Sequence, residues 1–122
     1  MSRHRKAKES KEYFFKEGCY IQELSNTEED PEVSIARARV LPGVTTHFHR
    51  LSETTERYVV LEGQGKAEIG DEAPFDVMVG DVVIIPASVR QRITNTGQED
   101  LIFLAICSPR FQEAVYEDLE EA

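Results

Sequence analysis

The sequence predicts an all-β domain whose short strands pair in an antiparallel sandwich or barrel. Between about residues 13 and 109, apolar and polar side chains alternate with a period of two, which is typical of half-buried strands. Turn-forming pairs such as Pro42-Gly43 and Gly80-Asp81 separate these runs. The intervals are too short for the helical crossovers that parallel strands require, so we expect antiparallel pairing.

Each alternating run defines one predicted strand, bounded by residues that favour turns. In chain order the predicted strands cover residues 19–24, 33–41, 45–51, 57–61, 66–69, 75–78, 82–85, 91–94 and 101–107. Residues 110–120 differ, because Phe111, Val115 and Leu119 recur every four positions and predict a short C-terminal helix. We therefore predict a charged N-terminal tail over residues 1–12 and a single barrel domain over residues 13–122.

The composition argues against several classes of partner. The formal net charge is −9, from 14 basic and 23 acidic residues, and this charge opposes binding to nucleic acid and to anionic membrane surfaces. No apolar run approaches the roughly 18 residues of a membrane span, and the charged N-terminus lacks the apolar core of a secretory signal. We therefore predict a cytoplasmic protein, in which Cys19 and Cys107 are small buried side chains rather than a disulfide.

Strand alternation also predicts which polar side chains share the barrel interior. The inward face of three predicted strands carries chemically active residues. They are His47 and His49 in the run 45–51, Glu56 and Tyr58 in the run that ends at residue 61, and Gln91 in the run 91–94. If these faces line the interior, two imidazoles, a carboxylate, a phenol and a carboxamide converge there.

At these positions the chain resembles the cupins. The first cupin motif reads Gly, five residues, His-x-His, three or four residues, Glu, six residues, Gly; the second reads Gly, five residues, Pro-x-Gly, two residues, His, three residues, Asn. The segment from Gly43 to Gly63 resembles the first motif and the segment from Gly80 to Asn95 resembles the second, with Glu56 and Pro86 also at motif positions. The resemblance implies a small jelly-roll barrel, often dimeric, in which many members hold a divalent metal with three His and one Glu.

The chain departs from both motifs, in part at positions where the family has metal-binding histidines. Gln91 stands where the second motif has its histidine, and Ser88 stands where it has its second glycine. The first motif fits in two ways. Taking His47 and His49 as the pair keeps both imidazoles but shifts the spacing, whereas taking His49 and Leu51 restores the spacing and puts leucine at a ligand position. The sequence leaves both alignments open.

The candidate metal ligands are His47, His49, Glu56 and Gln91. Two imidazoles and a carboxylate resemble the facial arrangement that holds non-haem iron, and Gln91 could add a weak fourth ligand through its amide oxygen. Alternatively, Gln91 and Tyr58 could satisfy an inward histidine by hydrogen bonds without any metal. The sequence leaves open whether a divalent ion (Zn, Mn, Ni or Fe) is bound.

Two classes of function follow from the resemblance. As an enzyme the chain would resemble the small cupins grouped with sugar-phosphate isomerases, with Glu56 moving a proton and Tyr58 as a second catalytic candidate, or it would be an iron dioxygenase. As a binding protein it would hold a small ligand, a sugar or a carboxylate, at a degenerate metal site. We also expect a homodimer, because residues 20–24 would otherwise leave an open sheet edge beside Phe14, Phe15 and Ile21.

Overall fold

The computed structural model describes residues 3–120 and confirms the all-β prediction. These residues form eleven strands and two 3-10 turns, at Ala7–Glu9 and Glu113–Val115. The strands are β1 (Tyr13–Phe15), β2 (Cys19–Ser25), β3 (Ser34–Val40), β4 (His49–Leu51), β5 (Thr55–Glu62), β6 (Gln64–Ile69), β7 (Phe75–Met78), β8 (Val82–Ile85), β9 (Gln91–Asn95), β10 (Leu101–Ser108) and β11 (Tyr116–Asp118). Residues 1 and 2 of the predicted tail and residues 121 and 122 of the predicted barrel lie outside the described residues. Across residues 3–120, none of the helical segments has the length and apolar character needed to span a membrane.

The strands form two antiparallel sheets that enclose a shared core. One sheet has the strand order β1-β2-β3-β10-β5-β8, and the other has the order β11-β4-β9-β6-β7. Buried side chains from both sheets form one apolar cluster, which includes Val40 and Phe103 from the first sheet and Ile69 and Ile93 from the second. Two antiparallel sheets packed in this way fit the jelly-roll barrel.

The C-terminal helix predicted for residues 110–120 is wrong. This segment contains only the 3-10 turn Glu113–Val115 and the strand β11. β11 pairs with β4, so that Tyr116 lies opposite Leu51 and Asp118 lies opposite His49. A helix this short is marginal on its own, whereas strand pairing satisfies the backbone groups along the edge of β4. Strand pairing therefore stabilises this segment more than the helix that the four-residue spacing of apolar residues predicts.

The strand predicted over residues 45–51 is shorter, and its alternation breaks before His49. The amide of Thr46 donates to the carbonyl of Ile93 at 2.9 Å, whereas the amide of His47 donates to the carbonyl of Glu17 at 2.8 Å. Consecutive amides therefore bond to different segments, and the chain bends instead of running straight. As a result Thr46 is buried, the side chain of His47 is 44% exposed, and His49 is buried again.

The open sheet edge expected at residues 20–24 is absent, because β2 pairs with β1 on one side and with β3 on the other. Phe15 packs edge to face against Phe111 and Tyr116, and Ile21 packs against the core. The edges of the six-stranded sheet are instead β1 and β8. The open edge lies at β1 rather than at residues 20–24, and Phe14 on β1 remains 61% exposed.

Candidate active site

The register of both sheets brings the polar interior side chains together. His49 lies directly opposite Gln91 in the β4–β9 pair, and Glu56 lies opposite Cys107 in the β5–β10 pair. Tyr58 follows Glu56 by two residues on β5 and so shares its face. All five residues are buried, with exposed fractions from 1% for Gln91 to 8% for Glu56.

A chain of hydrogen bonds holds the Glu56 carboxyl group. Gln91 Nε2 donates to Glu56 Oε1 at 2.7 Å, and the Tyr58 hydroxyl donates to Gln91 Oε1. The Cys107 thiol donates to Glu56 Oε2, with 3.7 Å between sulfur and oxygen. Burial is the largest influence on this carboxyl and raises the pKa of Glu56 to about 7, although the bonds from Gln91 and Cys107 act in the opposite direction. Glu56 can therefore take up and release a proton near neutral pH.

Glu17, which belongs to neither sequence motif, lies against the imidazole of His49. Its Oε2 is 3.3 Å from His49 Nε2, and its side chain is 14% exposed. His49 Nδ1 lies 2.7 Å from the backbone oxygen of His47. Because a carbonyl oxygen only accepts, Nδ1 carries the ring proton and Nε2 faces Glu17 as an acceptor. Burial raises the pKa of Glu17 to about 8 and lowers the pKa of His49, so at neutral pH the carboxyl group holds the proton and the ring is neutral.

A tight turn between β1 and β2 delivers Glu17 to the site. The amide of Gly18 donates to the carbonyl of Phe15 at 3.0 Å, and Gly18 has a φ of +102°, which a residue without a Cβ adopts at little cost. The bond from the His47 amide to the Glu17 carbonyl ties the turn to the segment before β4. A Glu-Gly pair between two apolar runs signals a turn, but it does not reveal that the turn folds over this end of the barrel.

The C-terminal strand closes one side of the site. The ring of Tyr116 stacks on the imidazole of His49, with 5.2 Å between centroids and 22° between planes. The same ring meets Phe15 edge to face at 5.1 Å. The Tyr116 hydroxyl is buried and has no hydrogen-bond partner among residues 3–120. Because this contact depends on β11, the helix predicted for the segment concealed it.

A cavity of about 50 Å³ lies beside Glu17 and Glu56. Its polar lining includes three carboxyl groups, and no lysine or arginine of the described chain lines it. Its acidic and aromatic lining residues are Glu17, Glu23, Glu56, Tyr13, Phe15 and Phe111. Tyr13, Phe15, Glu23 and Phe111 also line an outer hollow of about 620 Å³. The cavity, called the inner cavity below, is thus the deep end of a larger depression.

The structure separates His47 from the other predicted site residues. Its Nδ1 lies 3.0 Å from Asp118 Oδ2, and this bond raises the pKa of the half-exposed imidazole. His49, Glu56 and Gln91 come together, with Tyr58 behind Gln91. Leu51, the next inward residue of β4, is buried. The interior thus contains the His49 and Leu51 pair of the spacing-guided alignment rather than His47 and His49.

The donor groups present do not fit the divalent metal that the cupin resemblance implies. His49 is the one buried histidine of the described residues, and its free nitrogen faces Glu17. The Gln91 oxygen accepts from Tyr58, and both oxygens of Glu56 accept hydrogen bonds. Across residues 3–120, no three or more His, Cys, Asp or Glu side chains are arranged to hold a metal ion.

The chain is similar to known proteins in sequence and in structure. An uncharacterized protein of Methanocaldococcus jannaschii is 33% identical over 112 residues, which are 90% of this chain and 89% of that protein. A glucose-6-phosphate isomerase of Pyrococcus horikoshii is 28% identical over 98 residues, which are 70% of this chain but 52% of the isomerase, so the chain spans about half of its length. Among solved structures, the nucleoside dehydratase Pac13 of Streptomyces superposes with a TM-score of 0.81 at 17% identity, over 98% of this chain and 92% of that one. At that identity the likeness shows the fold alone.

The family assignment comes from the segment that holds both motifs. The cupin domain family matches residues 36–107, which include His49, Glu56 and Gln91. The matched segment is more than half of the chain and contains the strands β4 to β9 with most of β3 and β10. The chain therefore belongs to the cupin family.

Proposed function

We propose that this cupin binds a small metabolite with its reacting end in the inner cavity and moves a proton on it, in a reaction of the isomerase type. The observation that carries the proposal is the position of Glu56. Its carboxyl group is both buried and on the cavity wall, with a pKa of about 7. A general base works best when its pKa lies near the working pH. The glucose-6-phosphate isomerases among its relatives support the same reaction type.

In this reaction Glu56 is the base and Glu17 is the acid. Glu56 removes a proton from the carbon next to a carbonyl group and returns it to the neighbouring carbon. Glu17 holds a proton at neutral pH, because burial raises its pKa to about 8, and donates it to the substrate oxygen that gains charge. The Glu17 carboxylate then takes up the proton of the neighbouring hydroxyl group, whose oxygen becomes the new carbonyl oxygen, and His49, 3.3 Å away, accepts a hydrogen bond from the restored acid. Each proton thus leaves and returns within one turnover, and no oxidant or reductant is needed.

Gln91 and Tyr58 position the base in this scheme. The sequence makes Tyr58 a catalytic candidate, but its hydroxyl contacts Gln91 rather than the inner cavity. Gln91 in turn fixes Glu56 Oε1. We therefore assign Tyr58 a positioning role, through the orientation of the Gln91 amide.

We further propose that the native site works without the expected Zn, Mn, Ni or Fe. The support is the set of donor groups. Three imidazoles and a free carboxylate hold the metal in many cupins, whereas this site has one imidazole and a carboxylate whose two oxygens already accept hydrogen bonds. Elemental analysis of protein purified without chelator tests this directly. A stoichiometric metal whose removal unfolds the protein or alters the NMR signals of His49 would contradict it.

Solvent deuterium exchange tests the proposed reaction across a panel of candidate substrates. Sugars and their phosphate esters are incubated with the protein in D₂O, and NMR follows exchange of the hydrogen next to the carbonyl carbon. Glu56→Gln should lower the exchange rate by about 10²- to 10⁴-fold, the usual contribution of a general base. The matched control is Glu62→Gln, an exposed position on the same strand, which should exchange at the wild-type rate. Exchange that survives Glu56→Gln would overturn the proposal.

A binding protein without turnover is the second candidate. It is favoured by the hydrogen bonds on both Glu56 oxygens, which a base must give up in part to reach a substrate. Saturable binding of a sugar in the inner cavity, with no exchange at any hydrogen, would support this alternative. Oxygen consumption with oxidation of the substrate, dependent on added iron, would instead support the dioxygenase expected from the sequence.

We retain the homodimer as a proposal, at a different surface. Val82 and Ile84 are 58% and 64% exposed on β8, one of the two edge strands of the six-stranded sheet. Exposed apolar edge strands favour pairing with another copy. Sedimentation should show a species of twice 13.9 kDa that Ile84→Lys converts to the monomer. A monomeric wild-type protein at micromolar concentration would contradict the proposal.

A further inference from the structure

The charge of the inner cavity restricts what can enter it. Glu17, Glu23 and Glu56 all line this small space, and among residues 3–120 no cationic side chain lines it. An anionic group placed beside a buried carboxylate pays both the repulsion and the loss of water, and nothing on the wall offsets either cost. A carboxylic acid that holds its proton, in contrast, donates one hydrogen bond and accepts others.

Arg39 and Arg92, on strands of the barrel, do not compensate for these carboxyl groups. Arg39 is bound to Glu12 at 2.6 Å and to Asp100 at 3.1 Å, and Arg92 is bound to Glu68 at 2.7 Å. These pairs lie on the outer faces of the sheets, since their strands alternate with the buried interior residues. Their guanidinium groups are therefore not available to a ligand in the inner cavity.

The outer hollow is balanced in charge. Lys16 and Arg110 line it, but Glu23 and Glu113 line it too. Lys16 is 3.4 Å from Glu113, and Arg110 donates to the oxygen of Asn26 at 3.0 Å. A phosphate group that remained in the hollow would meet two cations that already have partners and two carboxylates.

We propose that the substrate is an uncharged compound with hydroxyl and carbonyl groups, and that its phosphate ester and the corresponding carboxylate are excluded from the site. This inference rests on the proposed function, because it assigns the substrate class of the same inner cavity. It separates this chain from the relatives named as glucose-6-phosphate isomerases. It also narrows the sugar or carboxylate ligand expected from the sequence to a neutral sugar-like compound.

The burial and the remaining lining of the inner cavity agree with an uncharged ligand. Glu56 is 8% exposed and the Glu17 side chain 14% exposed, so water does little to screen a charge that enters the cavity. Besides the carboxyl groups, the polar lining includes Tyr13, Ser34 and Cys107, whose hydroxyl and thiol groups are uncharged. Neutral hydroxyl and carbonyl groups can pair with such partners without bringing a charge into the interior.

The test compares matched ligands by NMR titration of the wild-type protein. The uncharged probes are ribose, glucose and uridine, and each is paired with its terminal phosphate ester. Gluconate carries a negative charge, and glucosamine a positive charge, at the end of the sugar that would face Glu56. The reporters are the backbone amides of Glu56 and Cys107, which lie on the cavity wall. We expect an uncharged probe to bind at least about tenfold more tightly than its phosphate ester, which corresponds to about 1.4 kcal/mol.

Every result of this titration bears on the inference. A phosphate ester that binds as tightly as its uncharged partner, or gluconate that binds as tightly as glucose, overturns it. Glucosamine as the tightest ligand also overturns it, because the carboxyl groups would then act as ionised partners for a cation. Failure of all three uncharged probes to shift the reporters at millimolar concentrations counts against it as well.

Variants test whether the carboxyl groups of Glu17 and Glu56 cause the preference for uncharged ligands over anionic ones. In the double variant Glu17→Gln with Glu56→Gln, the affinity for gluconate should rise relative to glucose, whereas Glu62→Gln should leave the ratio unchanged. A ratio unaffected by the double variant would contradict the electrostatic argument. The outcome is separable from the proposed function. If an uncharged sugar binds without proton exchange, only the proposed function is contradicted. If a tightly bound phosphate ester shows exchange that depends on Glu56, only the inference about the substrate class is contradicted.

Discussion

Replacing Glu56 by glutamine should make the protein more stable at alkaline pH, although it removes the proposed base. Burial raises the pKa of Glu56 from 4.5 to about 7, so the folded protein retains a proton that the unfolded chain releases. The favourable contribution is complete below pH 4.5 and is lost as the pH rises through 7. Each pKa unit corresponds to about 1.4 kcal/mol, so ionisation costs the wild-type protein on the order of 3 kcal/mol by pH 8 to 9. Glutamine avoids this cost and keeps an oxygen that can accept from Gln91 Nε2.

The assay is urea unfolding of wild type and Glu56→Gln between pH 4 and pH 9. The two free energies of unfolding should lie close together at pH 4 and diverge above pH 6, with the variant more stable, which at pH 9 corresponds to a rise in Tm of roughly 10 °C. Glu62→Gln supplies the control, because this exposed carboxyl should not alter the slope. Parallel curves for wild type and Glu56→Gln would refute the claim that burial controls this carboxyl. Glu17→Gln should show the same sign, over a window that extends to about pH 8.

Three further predictions follow from the contacts around the site. Tyr58→Phe leaves the buried Gln91 oxygen without its donor, which should cost about 1–3 kcal/mol of unfolding free energy in urea; an unchanged midpoint would show that the bond contributes nothing. Leu51→His combined with Gln91→His should create a zinc site by adding two imidazoles at buried inward positions. Calorimetry that finds the same zinc affinity for the double variant and for Gln91→His alone would contradict this placement. Asp118→Asn should lower the pKa of His47, because the bond to Asp118 raises it. NMR titration of the imidazole measures this pKa, and identical curves for wild type and variant would contradict the prediction.

Much of the fold could be predicted because alternation is a local property. The nine predicted strands all overlap observed ones, and the runs 75–78 and 82–85 match β7 and β8 at both ends. The missed strands, β1 and β11, contain three residues each. Runs this short show no clear period, and β11 forms because β4 offers it an edge. Its existence depends on a partner 67 residues earlier, as between Glu117 and Arg50, which local spacing does not reveal.

The site could be predicted where it depends on regular strands and not where it depends on turns. His49, Glu56 and Gln91 lie where the motif spacing and strand phase put them, facing the interior. His47 does not, because strand phase holds only along a straight strand and this segment bends. Glu17 lies in a turn outside both motifs, and only the folding of that turn against the segment before β4 brings it to His49.

The chemistry of the site follows from the two positions where ligands are replaced. In its neutral form an imidazole offers one donor and one acceptor, and the Gln91 amide offers the same pair to Glu56 and Tyr58. Leu51 adds a buried apolar group where a third nitrogen would have stood. A bound divalent cation would hold the Glu56 carboxylate in its ionised form at any physiological pH. Here an amide and a leucine stand where two of the ligands of such a cation would be. Desolvation then dominates and raises the pKa of the Glu56 carboxyl to about 7. The residues at these two positions are therefore the ones that leave the Glu56 carboxyl able to change protonation near neutral pH, as the proposed acid–base role requires.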